Sequence, residues 1–229
     1  MFFILSGRWR FFWGRWGNAG EVVLEQGDII NIPTGIFRGF ENIGTEYGMI
    51  MAILGGDDAG GGVHWAPQVV KDAADHGLIL GENGKLYDQK KGQNLPDGIG
   101  PMPIMQNEEL AKRPELTTMD VVPNHVARYW DMFALSDRKP VNVIGKNGLL
   151  RDKPGFEVNF ITRGSSNENQ ESQQFASVLM PVRGHWRISW ESGSTVLAPG
   201  DTMSIPADFK HSIVPAVTGE AALLSLIHI

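Results

Sequence analysis

The chain has 229 residues, of which 42% are hydrophobic, a formal net charge of −6 at pH 7 and no cysteine. This length allows one large or two small hydrophobic cores, and the lack of cysteine excludes disulfides, thiolate metal sites and a cysteine nucleophile, which fits a cytoplasmic protein. The acidic charge and the lack of a lysine or arginine run argue against nucleic acid as a partner. No stretch reaches the roughly 18 to 20 apolar residues of a membrane helix, so no membrane is expected as a partner.

The first predicted strands belong to an internal repeat. FILSGRWRFFW aligns with MPVRGHWRISW at an offset of 177 residues, which makes Trp9 correspond to Trp186. EVVLEQGDIINIP then aligns with STVLAPGDTMSIP at an offset of 173, which makes Gly27 correspond to Gly200. Both copies alternate apolar and polar residues in short runs broken by turn residues, a pattern typical of antiparallel strands. The sequence therefore predicts two related β domains.

An aromatic stripe recurs in both copies of the repeat. Every second residue of the stripe is a large apolar side chain, so these side chains share one face of a strand. The set is Trp9, Phe11, Trp13, Trp186, Ile188 and Trp190. Such stripes are more often core packing than a platform for a cofactor or a base, and we interpret this one as structural.

Three units follow from the position of the repeat. Residues 1–55 are predicted to form a partial N-terminal barrel, residues 56–128 a connector, and residues 129–229 a C-terminal barrel. The segment Tyr129–Leu135 has a strand-like pattern and is predicted to open the C-terminal barrel.

The connector carries its own local signals. GGDDAGGG at 55–62 predicts a flexible loop, and its two aspartates fit neither an EF-hand nor a phosphate-binding loop. APQVVKDAADHG predicts a short helix, because Pro67 suits a first helical turn and Gly77 suits a helix end. Asn83 precedes a glycine in GENGKLYD, which predicts a hairpin turn.

A spaced set of residues in each copy carries a family resemblance. In the first copy the set is Gly27, Pro33, Gly35, Arg38 and Asn42. In the second copy the same spacings give Gly200, Pro206, Asp208, His211 and Pro215. The spacing resembles the second conserved motif of the cupin superfamily, in which a histidine usually stands at the position of Arg38.

The resemblance implies an all-β fold of double-stranded β-helix, or jelly-roll, barrels in tandem, with a short helix in the connector. Such a bicupin is similar in broad plan to gentisate 1,2-dioxygenases. The register places the preceding motif of the first copy upstream of Met1, so we expect a fragment of a longer reading frame, or else other strands that complete the barrel. An open half-barrel exposes strand edges and apolar faces, from which we expect a homodimer.

The resemblance also defines where a metal would bind. Metal-dependent cupins hold Fe, Mn, Ni or Zn with two histidines and a glutamate of the first motif and the histidine of the second. In the second copy the first three positions fall near Glu171, Gln173 and Ser177, and only His211 keeps its usual type. We expect no cofactor there. A divalent cation held by Glu171, Gln173 and His211 is the less favoured alternative, because oxygen-rich sites with one imidazole are weak for transition metals.

Arg38 replaces the metal histidine in the first copy. A guanidinium has no lone pair for a metal. One interpretation is that Arg38 clamps the carboxylate of a small anionic ligand, and the other is a salt bridge with Glu25, Glu41 or another acid at the barrel mouth.

Three functions are consistent with these residues. The first is a degenerate bicupin that binds a small molecule, anionic or aromatic, with Arg38, His211, Gln173 and Ser177 as candidate ligand-binding residues. The second is a metal-dependent, dioxygenase-like oxidoreductase with ligands in a segment upstream of Met1. The third is a structural double barrel. The sequence leaves open whether the protein is an enzyme.

Overall fold

The structure is a computed structural model that describes residues 1–54, 64–151 and 155–228. The predicted loop at 55–62, with Asp57 and Asp58, lies outside these residues. Strands dominate the described chain and short helices join them, in agreement with the predicted all-β class.

The N-terminal lobe is built from two small antiparallel sheets. Its first six strands are β1 (Phe2–Ser6), β2 (Trp9–Trp13), β3 (Gly20–Leu24), β4 (Ile29–Ile30), β5 (Arg38–Asn42) and β6 (Met49–Ala52). In one sheet β1 lies between β6 and β4, and in the other β2 lies between β3 and β5. Ile4, Phe11, Trp13 and Leu24 meet between the sheets in a hydrophobic core.

The connector adds helices and short strands. Its described part contains α1 (Pro67–Asp75), β7 (Leu78–Leu80), β8 (Leu86–Asp88), a 3-10 turn (Gln89–Lys91), α2 (Asn107–Leu110), α3 (Thr118–His125) and β9 (Val126–Ala127), and α4 (Tyr129–Leu135), beyond the predicted boundary at 128, extends it. The predicted helix and hairpin are both present, as α1 and as the β7–β8 pair. Strand β9 pairs with β4, and Val121 of α3 enters the core of the N-terminal lobe. The connector therefore completes part of that lobe.

The segment Tyr129–Leu135 is helical, so the prediction of a strand there was wrong. The backbone N–H of Tyr129 donates to Oδ1 of Asp28 at 2.9 Å, which satisfies one free donor of the helix N-terminus. Tyr129, Met132 and Phe133 then pack on one hydrophobic core. A short apolar run is compatible with both the two-residue period of a strand and the 3.6-residue period of a helix. Here tertiary packing favours the helix.

The C-terminal barrel contains the remaining strands. They are β10 (Val141–Ile144), β11 (Phe156–Thr162), β12 (Asn167–Glu171), β13 (Ser177–Arg183), β14 (Trp186–Trp190), β15 (Gly193–Leu197), β16 (Met203–Ile205), β17 (His211–Pro215) and β18 (Ala222–His228), with a 3-10 turn (Arg163–Ser165) after β11. One sheet has the order β10-β11-β18-β13-β16 and the other the order β12-β17-β14-β15. Leu179, Trp186 and Leu223 pack between them, which gives the predicted jelly-roll barrel.

The predicted repeat is visible in the strand pairing. Strand β1 pairs with β6 and β4 as β13 pairs with β18 and β16, and β2 pairs with β3 and β5 as β14 pairs with β15 and β17. The registers also agree, because Phe2 lies opposite Ala52 as Leu179 lies opposite Ser225. The aromatic stripe is structural, as predicted, and its fully buried members are Phe11, Trp13, Trp186 and Ile188.

A second hydrophobic core joins the two lobes. Phe3 of β1 and Ile29 of β4 contribute to it from the N-terminal side, and Val158 of β11 and Leu224 of β18 contribute from the barrel. Tyr129 of α4 is part of the same core. Burial raises the pKa of Tyr129, and the nearby Arg183 opposes this shift. The two lobes are thus held together by one face of the β6-β1-β4 sheet and by the equivalent face of the β18-β13-β16 sheet.

Asp28 fastens the N-terminal lobe to the connector. Its carboxylate accepts hydrogen bonds from the backbone N–H of Glu25 at 3.0 Å and from Nη1 of Arg128 at 2.8 Å, besides the N–H of Tyr129. The equivalent Asp201 makes the same turn contact, with the backbone N–H of Ala198 at 2.8 Å. The local turn is common to both copies, and the contacts to the connector are specific to Asp28.

The equivalent glycines Gly27 and Gly200 allow a test of this junction. Their φ angles are +91° and +90°, a region that a residue with a Cβ rarely adopts. A Cβ on Gly27 would lie 2.4 Å from Cδ2 of Tyr129, whereas nothing lies within 4 Å of a Cβ on Gly200. We expect Gly200→Ala to lower the free energy of unfolding by about 1–2 kcal/mol through backbone strain alone.

Gly27→Ala is expected to cost about 1–3 kcal/mol more than Gly200→Ala, because overpacking against Tyr129 is added to the strain. Urea unfolding measures the free energy of unfolding of both variants, provided that the m-value is unchanged. Equal losses in the two variants would contradict the packing of Tyr129 against the first turn.

Candidate functional site

A cavity opens at one end of the C-terminal barrel, between its two sheets. Its volume is ≈140 Å³, and its wall is formed by β11, β12, β17, β18 and the segments next to them. Residues of the interior face line it, because strand side chains alternate between the two faces of a sheet. Among them are Asn159 of β11, Ile213 of β17 and Ser225 of β18. We refer to it below as the C-terminal cavity.

His211 is the first residue of β17 and lines the C-terminal cavity. Its side chain is buried, and its Nδ1 donates to the carbonyl oxygen of Phe209 at 2.8 Å. The ring also stacks on that of Phe209, with centroids 6.2 Å apart. A carbonyl oxygen only accepts, so the neutral ring carries its proton on Nδ1 and keeps a lone pair on Nε2.

Glu171 and Gln173 also line the C-terminal cavity, so the structure brings three of the predicted site residues together. Glu171 is the cross-strand partner of His211 and is exposed, and its Oε1 accepts from Nδ2 of Asn167 at 2.5 Å. The backbone carbonyl oxygen of Gln173 accepts a hydrogen bond from the backbone N–H of Asp208 at 2.7 Å. The side-chain Oε1 of Gln173 is buried and has no partner among the described residues.

The donor set in the C-terminal cavity does not fit a transition-metal centre of the cupin type. Among the described lining residues it offers one imidazole, one exposed carboxylate already bonded to an amide, and otherwise only neutral amides and hydroxyls. Within the ranges that the structure describes, no group of three histidine, cysteine, aspartate or glutamate side chains is placed to hold a metal ion. Transition metals that prefer nitrogen ligands would have a single imidazole, that of His211, among the described residues of the wall.

Ser177 takes a different place from the other predicted residues. It is buried on β13, on the same strand face as Leu179 of the barrel core, and does not line the C-terminal cavity. Its hydroxyl has no hydrogen-bond partner in the described residues. Sequence reasoning missed Ser225, which lines the cavity and is 1% exposed with an equally unpartnered hydroxyl. The alternation of LLSLI around Ser225 was the available signal, since one polar residue stands there on the inward face of an apolar strand.

Arg38 lies in the other lobe and does not line the C-terminal cavity. It is exposed, and its guanidinium carbon lies 5.7 Å from the centroid of the Phe2 ring, a cation–π contact. The two acids considered as its partners also contact other arginines: Glu41 lies 2.8 Å from Arg10, and Glu25 lies 3.5 Å from Arg8.

Aromatic rings fill the region of the N-terminal lobe that corresponds to the C-terminal cavity. The repeat aligns Phe40 with Ile213 and Phe2 with Leu179. The centroid of the Phe40 ring lies 5.7 Å from that of Phe2 and 5.6 Å from that of Phe11. The described part of the N-terminal lobe also has no strands paired to β5 and β6 in the way that β12 and β11 pair to β17 and β18, so both the walls and the side chains of the cavity are specific to the C-terminal barrel.

The connector carries a second concave surface, an open groove of ≈490 Å³ between α1, β7 and the segment after Gly100. Its wall is mostly aliphatic, with Leu78, Leu80 and Met102 among its residues, and it has no histidine. Its charged residues, Lys71 and Asp75, both lie on α1, whereas the polar residues of the C-terminal cavity come from several strands. The C-terminal cavity is therefore the stronger candidate site.

Known proteins show only distant structural likeness to this chain. No family model and no curated protein matches the sequence. Similar solved structures include a cupin superfamily protein from Desulfitobacterium hafniense, with 17% identity, a TM-score of 0.31 and coverage of 35% of this chain and 72% of that one. A cupin-2 domain protein from Shewanella frigidimarina has 14% identity, a TM-score of 0.33 and coverage of 44% and 91%. A cupin 2 domain-containing protein from Halorhodospira halophila has 22% identity, a TM-score of 0.34 and coverage of 41% and 65%.

These likenesses are too distant to transfer a ligand or an activity. From its own strand pairing, the chain is an all-β protein with a jelly-roll barrel in its C-terminal half. The helices in the described ranges are all too short or too polar to span a membrane.

Proposed function

We propose that this protein is a degenerate bicupin that binds a small molecule in the C-terminal cavity without a standard metal triad. The observation that carries the proposal is the cavity itself, whose wall combines the polar residues Asn159, Gln173 and His211 with the aliphatic residues Ile161 and Ile213. A concave site with a few polar groups among aliphatic side chains is the usual form of a small-molecule site. The cavity volume is close to the ~150 Å³ of an engineered cavity that binds benzene.

Filling the C-terminal cavity from Ser225 is expected to abolish this binding. The probe is a set of fragments with six to ten non-hydrogen atoms, followed by the backbone amide signals of the cavity strands in ¹H–¹⁵N spectra. We expect hits in the wild-type protein to shift the amides of Ser225 and Ile213. Ser225→Leu should lose these shifts because its side chain occupies the cavity.

The matched control is Ala52→Leu, since Ala52 is the counterpart of Ser225 in the N-terminal lobe and lies outside the C-terminal cavity. This variant should keep all the shifts. If Ser225→Leu does not fold, Gln173→Leu takes its place. A screen with no hit that shifts the cavity amides would overturn the proposed function.

Metal analysis separates the proposal from the dioxygenase-like alternative. We expect the purified protein, supplied with iron, manganese, nickel and zinc during expression, to hold none of them stoichiometrically, because the cavity offers one imidazole. His211→Ala should leave the metal content unchanged. A stoichiometric metal that disappears in His211→Ala would favour the metal-dependent alternative.

We also propose that the protein forms a homodimer through the N-terminal lobe. In the barrel, β17 pairs with β12 and β18 pairs with β11. The equivalent outer edges of β5 and β6 have no paired strand in the described chain. Next to these edges Phe40 is 50% exposed and Met49 is 46% exposed. Unpaired edges with apolar neighbours favour pairing with a second copy.

Light scattering after size exclusion tests the dimer. The wild-type protein is expected to have the mass of two chains, and Phe40→Glu combined with Met49→Lys is expected to have the mass of one. The control Val196→Lys changes an apolar residue of the barrel that is 47% exposed and should leave the dimer intact. A wild-type monomer, or a double variant that stays dimeric, would contradict this interface.

A further inference from the structure

Every second residue of β5 points its backbone hydrogen-bonding groups at the open edge of the N-terminal lobe. On the other side of the strand, the N–H of Ile43 donates to the carbonyl oxygen of Arg8, and the N–H of Gly14 donates to the carbonyl oxygen of Phe37, both at 3.0 Å. The odd-numbered residues of β5 therefore point at β2. Since these groups alternate along an antiparallel strand, the even-numbered residues point at the edge. They are Arg38, Phe40 and Asn42.

The equivalent strand of the C-terminal barrel shows what such an edge binds. Ile213 of β17 corresponds to Phe40 in the repeat, and it pairs with Asn167 of β12 in an antiparallel ladder. An extended antiparallel strand therefore fits this edge. In the N-terminal lobe, no strand of the described ranges takes that place.

The residues of β5 favour one register for pairing with a second β5. Edge groups face each other only if the two-fold axis passes through a residue, which is Gly39, Phe40 or Glu41. A centre at Glu41 places two carboxylates directly opposite each other, which is unfavourable. A centre at Gly39 pairs only residues 38–40, because the strand begins at Arg38. A centre at Phe40 pairs the whole strand, Arg38–Asn42, and opposes no like charges.

We infer that the dimer proposed above forms by antiparallel pairing of β5 with β5 of the partner subunit, with Phe40 at the two-fold axis. This inference rests on that proposed dimer. The β3-β2-β5 sheet of one protomer then continues into that of its partner. The half-exposed ring of Phe40, packed on Phe2, meets Phe40 of the partner subunit, since directly opposite residues share one face of a sheet. Arg38 lies opposite the neutral Asn42 of the partner subunit.

Cysteine cross-linking tests the register, because the wild-type chain contains no cysteine. Phe40→Cys places two cysteines opposite each other with Cα atoms about 5.5 Å apart, a separation that a disulfide spans. We expect the oxidised variant to migrate on a non-reducing gel at about twice its reduced mass, as the cross-linked pair of chains that this separation allows. Arg38→Cys and Asn42→Cys are the matched controls. Each lies about 13 Å along the strand from its own counterpart, so neither should cross-link.

A second variant keeps the test valid if loss of the ring makes Phe40→Cys monomeric in light scattering. Arg38→Cys combined with Asn42→Cys in one chain retains Phe40. The two cysteines lie about 13 Å apart along β5, too far to bridge within the chain. We expect this double variant to form covalent dimers, because each cysteine lies opposite the other one in the partner subunit.

The outcomes separate the register from the dimer on which it rests. A wild-type dimer in which neither Phe40→Cys nor the double variant cross-links would overturn the register and leave the proposed dimer standing. A cross-link in Arg38→Cys alone or in Asn42→Cys alone would also overturn the register. A wild-type monomer would overturn both.

Discussion

The hydrophobic core between the lobes is the constraint on which the rest of the structure depends. Successive residues of a strand point to opposite faces, so Phe3 faces the inter-lobe core while Ile4 faces the core of the N-terminal lobe. The barrel uses the same device, since Val158 and Leu224 face the inter-lobe core while Asn159 and Ser225 face the cavity. One face of β11 and β18 packs in the inter-lobe core, and the opposite face of the same strands forms part of the cavity wall. The inter-lobe packing thus fixes the positions of Asn159 and Ser225 in that wall.

One repeated backbone supports two different interiors. The registers of the two copies agree residue by residue, so the difference lies in the side chains. Where the barrel has Ile213 and His211, the N-terminal lobe has Phe40 and Arg38. The Phe40 ring packs against Phe2 but is half exposed, and the guanidinium of Arg38 lies over the Phe2 ring. Arg38 is thus a cation on an aromatic surface, in a lobe separate from the cavity.

The sequence was sufficient for the repeat, the strands and the inward position of His211, because period-two alternation and turn glycines are local signals. It failed at Tyr129–Leu135, where the helix depends on a cap from Asp28, a residue about a hundred positions away. Ser225 was missed for a related reason. Its importance comes from lying opposite Asn159 and Leu179 on neighbouring strands, which is a property of the register.

Polar side chains at the cavity distinguish the C-terminal barrel from the N-terminal lobe. Asn159, Gln173, His211 and Ser225 all belong to the wall of the cavity. A buried polar group costs stability that an apolar residue would not, and the counterpart of Ser225 in the N-terminal lobe is the apolar Ala52. A barrel that served only as a scaffold would be more stable with an apolar interior there. Polar side chains in the wall of one cavity therefore fit the small-molecule function proposed above better than a purely structural barrel.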